Sequence, residues 1–356
     1  MVDAIHQVIG VFADRDAVGG HTLALRDALR ARGFESEIFA DEISDGVAGR
    51  AQPASELERR SDDGDTILVY QASTYARAAD LVARRTEPLV VNYHNITPAK
   101  FFTRWEPSVA QSLFDAREQV RRLARRTVLA VADSEFNAEE LAGFGFRHIE
   151  VVPVLIDTNR LGTDGTSPWP ARPGTRWLFV GRIAPHKAQH QIVKAFKLYR
   201  DVYDCHAVLA LPGLASSHRY RVALDRFIAA LGLDDAVLRP GSVPDAELGS
   251  YYRDADVFVC MSEHEGFCNT VIEAMALDLP VVARGSSALP VTVAEGGLVL
   301  SPKVSSETVA SAVHRVVTDE AIVSAFVTAG RDRHRQLTMA SSGERFCDVL
   351  SDLVIT

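Results

Sequence analysis

Cysteine is scarce: the 356-residue chain has four, with no Cys-x-x-Cys pair and no zinc-ligand spacing. Cys205, Cys260 and Cys268 lie in or beside apolar runs, so the sequence predicts reduced thiols rather than disulfides, as in a cytoplasmic protein. An excess of positive charge is also missing. The formal net charge is −9, which excludes general nucleic-acid binding, where a basic stripe is expected. No run of roughly 18 apolar residues occurs, and residues 1–6 lack a charged n-region, so neither a membrane span nor a secretory signal is visible. Gly-x-Gly-x-x-Gly is absent too, which removes the dinucleotide-binding fingerprint.

What is present is an ordinary globular composition, 47% hydrophobic and 24% charged, at a length that suggests two domains. Short apolar runs alternate with helical patterns. In the first half the runs at 8–12, 37–40, 66–70, 89–93 and 128–132 read as strands, with a helix over 22–32 and a polar connection over 45–64. That alternation predicts a parallel sheet covered on both faces. Residues 14–21, containing Gly19 and Gly20, read as a loop entering the first helix. His94 and Ser134 each follow a strand, where open α/β sheets bind ligands; the alternatives are a structural histidine and a plain N-cap. Arg117, Arg121, Arg122, Arg125 and Arg126 make a basic helical segment, either a solvated helix face or a contact for an anionic membrane or lipid-linked acceptor.

Residues 162–174 are crowded with glycine and proline and read as an interdomain linker. Beyond it, a strand over 177–180 leads into Gly181-Arg182 and Lys187, then a helix over 188–199. An arginine and a lysine in a strand-to-helix loop suit a diphosphate, the first forking two oxygens and the second supplying a compact charge. Further strands are expected at 206–211, 257–260, 281–283 and 298–300, with helices to 231, over 247–253, over 306–317 and, last, over 342–353.

The stretch from Ser262 to Ala276 is the richest in chemistry. A strand, a tight loop with Gly266, and an apolar helix follow one another, and unpaired N–H groups at such a helix start attract an anion, phosphate above all. Glu265 and Glu273 stand at most roughly 12 Å apart along a helical path, so they can hold two ends of one elongated ligand. The alternative is local: Thr270-x-x-Glu273 fits a capping box, with Glu265 a solvated loop acid.

Glu-Gly-Phe-x-x-x-x-x-Glu-Ala-Met-Ala followed by Pro-Val-Val-Ala resembles the Glu-x7-Glu motif of retaining GT-B glycosyltransferases, glycosyltransferase family 4 in particular. Gly-Arg-x-x-x-x-Lys upstream resembles the same family. The resemblance implies an α/β GT-B fold, two Rossmann-like domains with parallel sheets facing a central cleft. Its boundaries would be an acceptor-side domain over 1–160, a linker over 161–175, a nucleotide-sugar domain over 176–335 and a terminal helix over 336–356 packing back on the first domain. It implies transfer of a mannosyl- or glucosyl-type hexose from a GDP- or UDP-sugar to a saccharide or lipid-linked saccharide, with no cofactor and no metal. Arg182, Lys187, Glu265 and His94 become the catalytic candidates. Gly19, Gly20, Ser134, Val243, Gly266, Phe267, Cys268, Asn269, Thr270 and Glu273 become donor-binding candidates, with Val243 beside the nucleobase. Cys268-Asn269 departs from the small or aliphatic pair of many relatives, which leaves the donor open. Alternative readings are a nucleotide-sugar epimerase, a non-catalytic sugar-nucleotide-binding protein, or a metal-dependent transferase using Asp14/Asp16, Asp63/Asp65 or Asp254/Asp256.

Overall fold

In the computed structural model, residues 2–13, 16–60, 64–162, 165–171 and 173–355 are described. Their contacts divide the chain into two units. Met1–Lys100, Pro107–Asp157 and Leu337–Thr356 form the first, Phe101–Glu106 and Thr158–Gln336 the second.

Runs of β-branched and other apolar residues form the first sheet: β1 (Ala4–Phe12), β2 (Ile38–Ile43), β3 (Gln52–Pro53), β4 (Thr66–Ala72), β5 (Leu89–Tyr93), β6 (Thr127–Ala132) and β7 (Ile149–Val151). Their order is β3-β2-β1-β4-β5-β6-β7, and every pairing is parallel. The central strands β1, β4 and β5 are buried along nearly their whole length because helices cover both faces. These helices are α1 (Ala17–Ala31), α2 (Ala54–Arg59), α3 (Arg77–Arg84), α4 (Pro107–Leu123) and α5 (Glu135–Phe144).

Two local expectations need correction. Helix α1 starts at Ala17, not 22, because Asp16 caps it: its carboxylate accepts from Gly19 N at 3.1 Å. Gly19 and Gly20 therefore lie in the first helical turn, and Asp14 lies outside the described residues. The polar connection over 45–64 holds β3 and α2, which buries Ala54 and Leu57; Asp63 is not among the described residues.

The second sheet consists of β8 (Arg176–Leu178), β9 (Val208–Ala210), β10 (Val237–Leu238), β11 (Val257–Cys260), β12 (Val281–Arg284) and β13 (Gly297–Leu300). It runs in the order β10-β9-β8-β11-β12-β13, again all parallel. Its helices are α6 (Gln189–Val202), α7 (His218–Ala230), α8 (Asp245–Arg253), α9 (Asn269–Ala276), α10 (Leu289–Val293), α11 (Ser306–Thr318) and α12 (Glu320–Gln336). Helices α10 and α12 have no counterpart among the helices expected from the sequence. Buried Trp177 anchors this core, meeting Phe196 and Tyr199 edge-on at 5.5 and 5.0 Å. In the Gly/Pro-rich segment, Thr163, Asp164 and Arg172 lie outside the described residues, but Trp169 is buried against Tyr251 and donates to its carbonyl at 3.3 Å. Composition reports that segment as loose; one indole fixes it to α8.

The last helix, α13 (Met339–Ile355), belongs to the first unit, where Phe346, Cys347 and Leu350 enter the cluster of Ile5, Leu25 and Leu29.

Gly213, after β9, has φ +148, and a Cβ there would come within 2.0 Å of the Gly181 carbonyl oxygen. Gly213→Ala should therefore destabilise by at least about 1–3 kcal/mol, read by urea unfolding. Gly20→Ala meets nothing within 4 Å and should be neutral or stabilising by about 0.5–1 kcal/mol. Equal effects would mean that the close approach of Gly213 to Gly181 does not constrain the loop.

Candidate active site

Two loops at the carboxyl ends of the paired strands β8 and β11 build the centre of the second unit. The first runs from Gly181 through a tight turn at Pro185–Lys187 and enters α6 after Ala188, whose φ is 51°. The second runs from Met261 to Cys268 and enters α9. The His186 carbonyl accepts from Glu263 N at 2.7 Å, tying one loop to the other.

That tie brings Lys187 to Glu265. The ammonium lies 2.7 Å from both carboxylate oxygens, and the two side chains are 17% and 7% exposed. Burial is the largest single influence and lowers the lysine pKa, but the Glu265 charge, the neighbouring Cys268 and the hydrogen bond to Glu265 together outweigh it, and the amine sits above its usual value. Glu265 is no solvated loop acid. Its N–H donates to Ser287 Oγ at 2.7 Å and its carbonyl accepts from Ala288 N at 3.3 Å, so the loop after β12 fixes it. Thr292 Oγ1 likewise donates to the Phe267 carbonyl at 2.6 Å. Arg182 is exposed at the mouth of its loop. His186 is buried, and desolvation first, then the charges of Lys187 and Arg182, hold its pKa well below the ordinary value, so the ring is neutral beside the pair.

The start of α9 corrects the capping-box alternative. The cap residue is Cys268, with φ 83 and no side-chain hydrogen bond; Asn269 and Thr270 already lie within the helix. Glu273 does not reach back. It is buried, ion-paired to Arg160, and accepts from Tyr252 Oη at 2.8 Å. Arg160 also holds Asp245 at 2.6 Å. Nothing in the sequence pointed to Arg160 or Tyr252, because both reach Glu273 from distant segments. Gly266 and Phe267 stand in the loop between the two acids. Val243 is half-buried in the connection before α8. Asp256, one of the candidate metal ligands, accepts instead from Arg176 N at 2.7 Å, a local structural role.

In the first unit, His94 follows β5 and is locked by two partners: Nδ1 lies 3.0 Å from Asp133 Oδ2 and Nε2 lies 2.6 Å from Gln71 Oε1. Gln71 belongs to a buried polar chain that the apolar strand pattern hid. Asn92 donates to Gln71 at 2.9 Å, and Gln71 donates to Gln7 at 2.7 Å. His21 stands 2.8 Å from Asn92 and accepts from Leu155 N at 3.1 Å. Ser134 caps α5, accepting from Asn137 N at 3.2 Å. Gly19 is required by packing, since a Cβ would meet the Ala13 carbonyl oxygen at 2.6 Å.

Most of the basic segment is spent inside this unit. Arg117 donates to Glu140 at 2.6 Å and to the Ile96 carbonyl at 2.8 Å, and Arg126 donates to the carbonyls of Val82 and Glu87. Arg117 and Arg121 both lie over the Phe144 ring, at 4.9 and 5.0 Å. Arg122 and Arg125 are exposed. Among the described residues, no helix is long and apolar enough to cross a membrane.

Comparison with known proteins agrees with this fold. Residues 173–333 match the family model for glycosyl transferases group 1. The chain is 31% identical over 157 residues to mannosylfructose-phosphate synthase of Agrobacterium fabrum, covering 39% of this chain and 33% of that protein. It is 27% identical over 333 residues to D-inositol 3-phosphate glycosyltransferase of an Arthrobacter species, covering 80% and 77%. The chain thus spans a third of the first relative's length and about three quarters of the second's. Among solved structures, sucrose-phosphate synthase of Thermosynechococcus elongatus superposes with a TM-score of 0.79 at 18% identity, over 99% of both chains. Anabaena HepE in complex with UDP-glucose gives 0.78 at 17%, over 98% of this chain and 99% of that one.

The fold is that of the GT-B glycosyltransferases: two all-parallel α/β units. The residues that match the glycosyl transferases group 1 model all lie in the second unit.

Removing one partner of a buried ion pair costs about 3–5 kcal/mol, because the other charge is left uncompensated. Lys187→Ala should therefore lose stability as well as activity. Lys187→Met combined with Glu265→Gln should recover most of the melting temperature while transfer stays down by on the order of 10²- to 10³-fold. Recovery of transfer along with stability would make the pair purely structural.

His21 is fully buried, and desolvation, followed by the nearby His94, holds its pKa well below the ordinary value. The unfolded chain binds that proton near pH 6.5 and the folded chain does not, so stability falls with pH below that point by up to about 1.4 kcal/mol per unit. His186 adds the same dependence in the second unit. Unfolding free energies between pH 7.5 and 5.5 check this; a flat profile would contradict neutral, buried histidines.

Proposed function

We propose that the chain is a retaining hexosyltransferase of glycosyltransferase family 4. It moves a mannosyl- or glucosyl-type group from a GDP- or UDP-sugar to a saccharide or lipid-linked saccharide. The observation that carries this reading is the Lys187–Glu265 pair, held between two strand-end loops beside the N-terminus of α9. Departure of the nucleotide builds negative charge on the β-phosphate. Lys187, exposed Arg182 and the N–H groups entering α9 around Gly266 to Asn269 are fixed donors that meet it without solvent reorganisation.

In this reading the donor divides the pair: Lys187 turns to the diphosphate, and Glu265 accepts from the sugar hydroxyls. Glu273, held by Arg160 and Tyr252, accepts from the ribose hydroxyls, and Val243 flanks the base. His94, its ring fixed by Asp133 and Gln71, positions sugar and acceptor. No residue is assigned as covalent nucleophile, and no metal is assigned a step. If the acceptor is lipid-linked, exposed Arg122 and Arg125 are the cations left to meet an anionic surface.

The two carboxylates provide the test. Glu265→Gln should abolish most transfer while nucleotide binding by calorimetry stays within a few-fold, whereas Glu273→Gln should weaken the nucleotide itself. Both assays should be indifferent to excess chelator. Equal losses of nucleotide affinity in the two variants, or activity that vanishes with chelator and returns with Mg²⁺, would contradict the assignment.

A further inference from the structure

Beside Glu265 lie two thiols that this mechanism does not use. Cys260 ends β11, Cys268 caps α9, and both are free thiols. The left-handed backbone at Cys268, φ 83, folds the loop so that two sulfurs eight positions apart in sequence converge. Cys260 Sγ, Cys268 Sγ and a Glu265 carboxylate oxygen all lie within 4.8 Å of one another. All three residues are buried, at 0, 8 and 6% exposure.

We propose that Cys260, Cys268 and Glu265 form a binding site for a thiophilic divalent cation of the zinc class, and that its occupancy inhibits transfer by drawing Glu265 away from Lys187. Zinc–sulfur bonds of about 2.3 Å at a tetrahedral angle place two sulfurs roughly 3.8 Å apart. The cluster therefore needs to tighten by no more than about an ångström. Two thiolates and a carboxylate are a soft donor set, which selects zinc or cadmium over magnesium or calcium. Charge balances as well. Each thiol gives up a proton to solvent, and the cation with three anionic ligands carries one net negative charge. The binding half of the proposal stands on the cluster alone. The inhibitory half rests on the function proposed above.

The probe is Cd²⁺ added to chelator-treated full-length protein without donor, read by the ultraviolet sulfur-to-cadmium charge-transfer band. One equivalent should saturate the band. Cys260→Ser and Cys268→Ser should each abolish it, Cys205→Ser should leave it, and Glu265→Gln should weaken the apparent affinity at least ten-fold. If Cys260→Ser fails to fold, Cys260→Ala serves in its place. No band in folded protein, or a band that survives both loop substitutions, overturns the site; unchanged affinity in Glu265→Gln overturns the third ligand. Micromolar Zn²⁺ should then inhibit transfer by the wild type and leave Cys260→Ser active. Equal inhibition of both overturns the regulatory half. A wild type with the band but no transfer activity under any condition would instead count against the proposed function.

Discussion

The second unit depends on a buried ion pair that would be expensive to keep for stability alone. Withdrawing two charges from water costs several kcal/mol per ion, and replacing such a pair with apolar residues is often neutral or stabilising. The chain keeps Lys187 and Glu265 facing each other with both carboxylate oxygens at 2.7 Å. It does so with three separate loops: the turn at Pro185–Lys187, the segment from Met261 to Cys268, and the Ser287–Thr292 stretch that accepts or donates to the second loop's backbone. Cys268 adds left-handed strain of the kind concentrated at functional sites. A pair supported so heavily is preorganised, with each charge already desolvated and aimed before a ligand arrives.

The same economy recurs around Glu273 and His94. Glu273 is held by Arg160 and Tyr252, and His94 by Asp133 and Gln71. In each case the supports of the candidate side chain come from other elements of the same unit. A buried polar network of this sort is stable when its members find partners, and it fixes side-chain orientation at the same time.

Much of the architecture was legible in the sequence. Doubly covered parallel strands are continuous apolar runs, and β4, β5, β6, β8, β9, β11, β12 and β13 each coincide with such a run, whereas β10 is only two residues, Val237 and Leu238. Arg182, Lys187, Glu265 and Glu273 stood out as candidates through residue type, spacing and the resemblance of their two motifs. What escaped were features set by partners remote in sequence. Glu273 fits a capping box on paper because Thr270 precedes it by three, but the helix is capped earlier, at Cys268, and Glu273 turns to Arg160 and Tyr252. Gln71 and Asn92 interrupt apolar strands, a mismatch that was the available signal for the polar chain behind His94. Helix α12 carries little buried apolar surface, with Gly330 its only buried residue among those described, so its period is faint. The segment Phe101–Glu106 joins the second unit through Phe102 packed on His186 and Glu106 accepting from Ser217 and Arg219, contacts that no local pattern encodes.

The central claim is that the Lys187–Glu265 pair is the seat of the donor's sugar and diphosphate. A crystal structure with a slowly transferred NDP-sugar analogue tests it most directly. The account predicts a phosphate oxygen within hydrogen-bond distance of Lys187 Nζ, a sugar hydroxyl donating to Glu265, and ribose hydroxyls on Glu273. A donor bound elsewhere, with Lys187 and Glu265 still closed on each other and no phosphate at the start of α9, would contradict it.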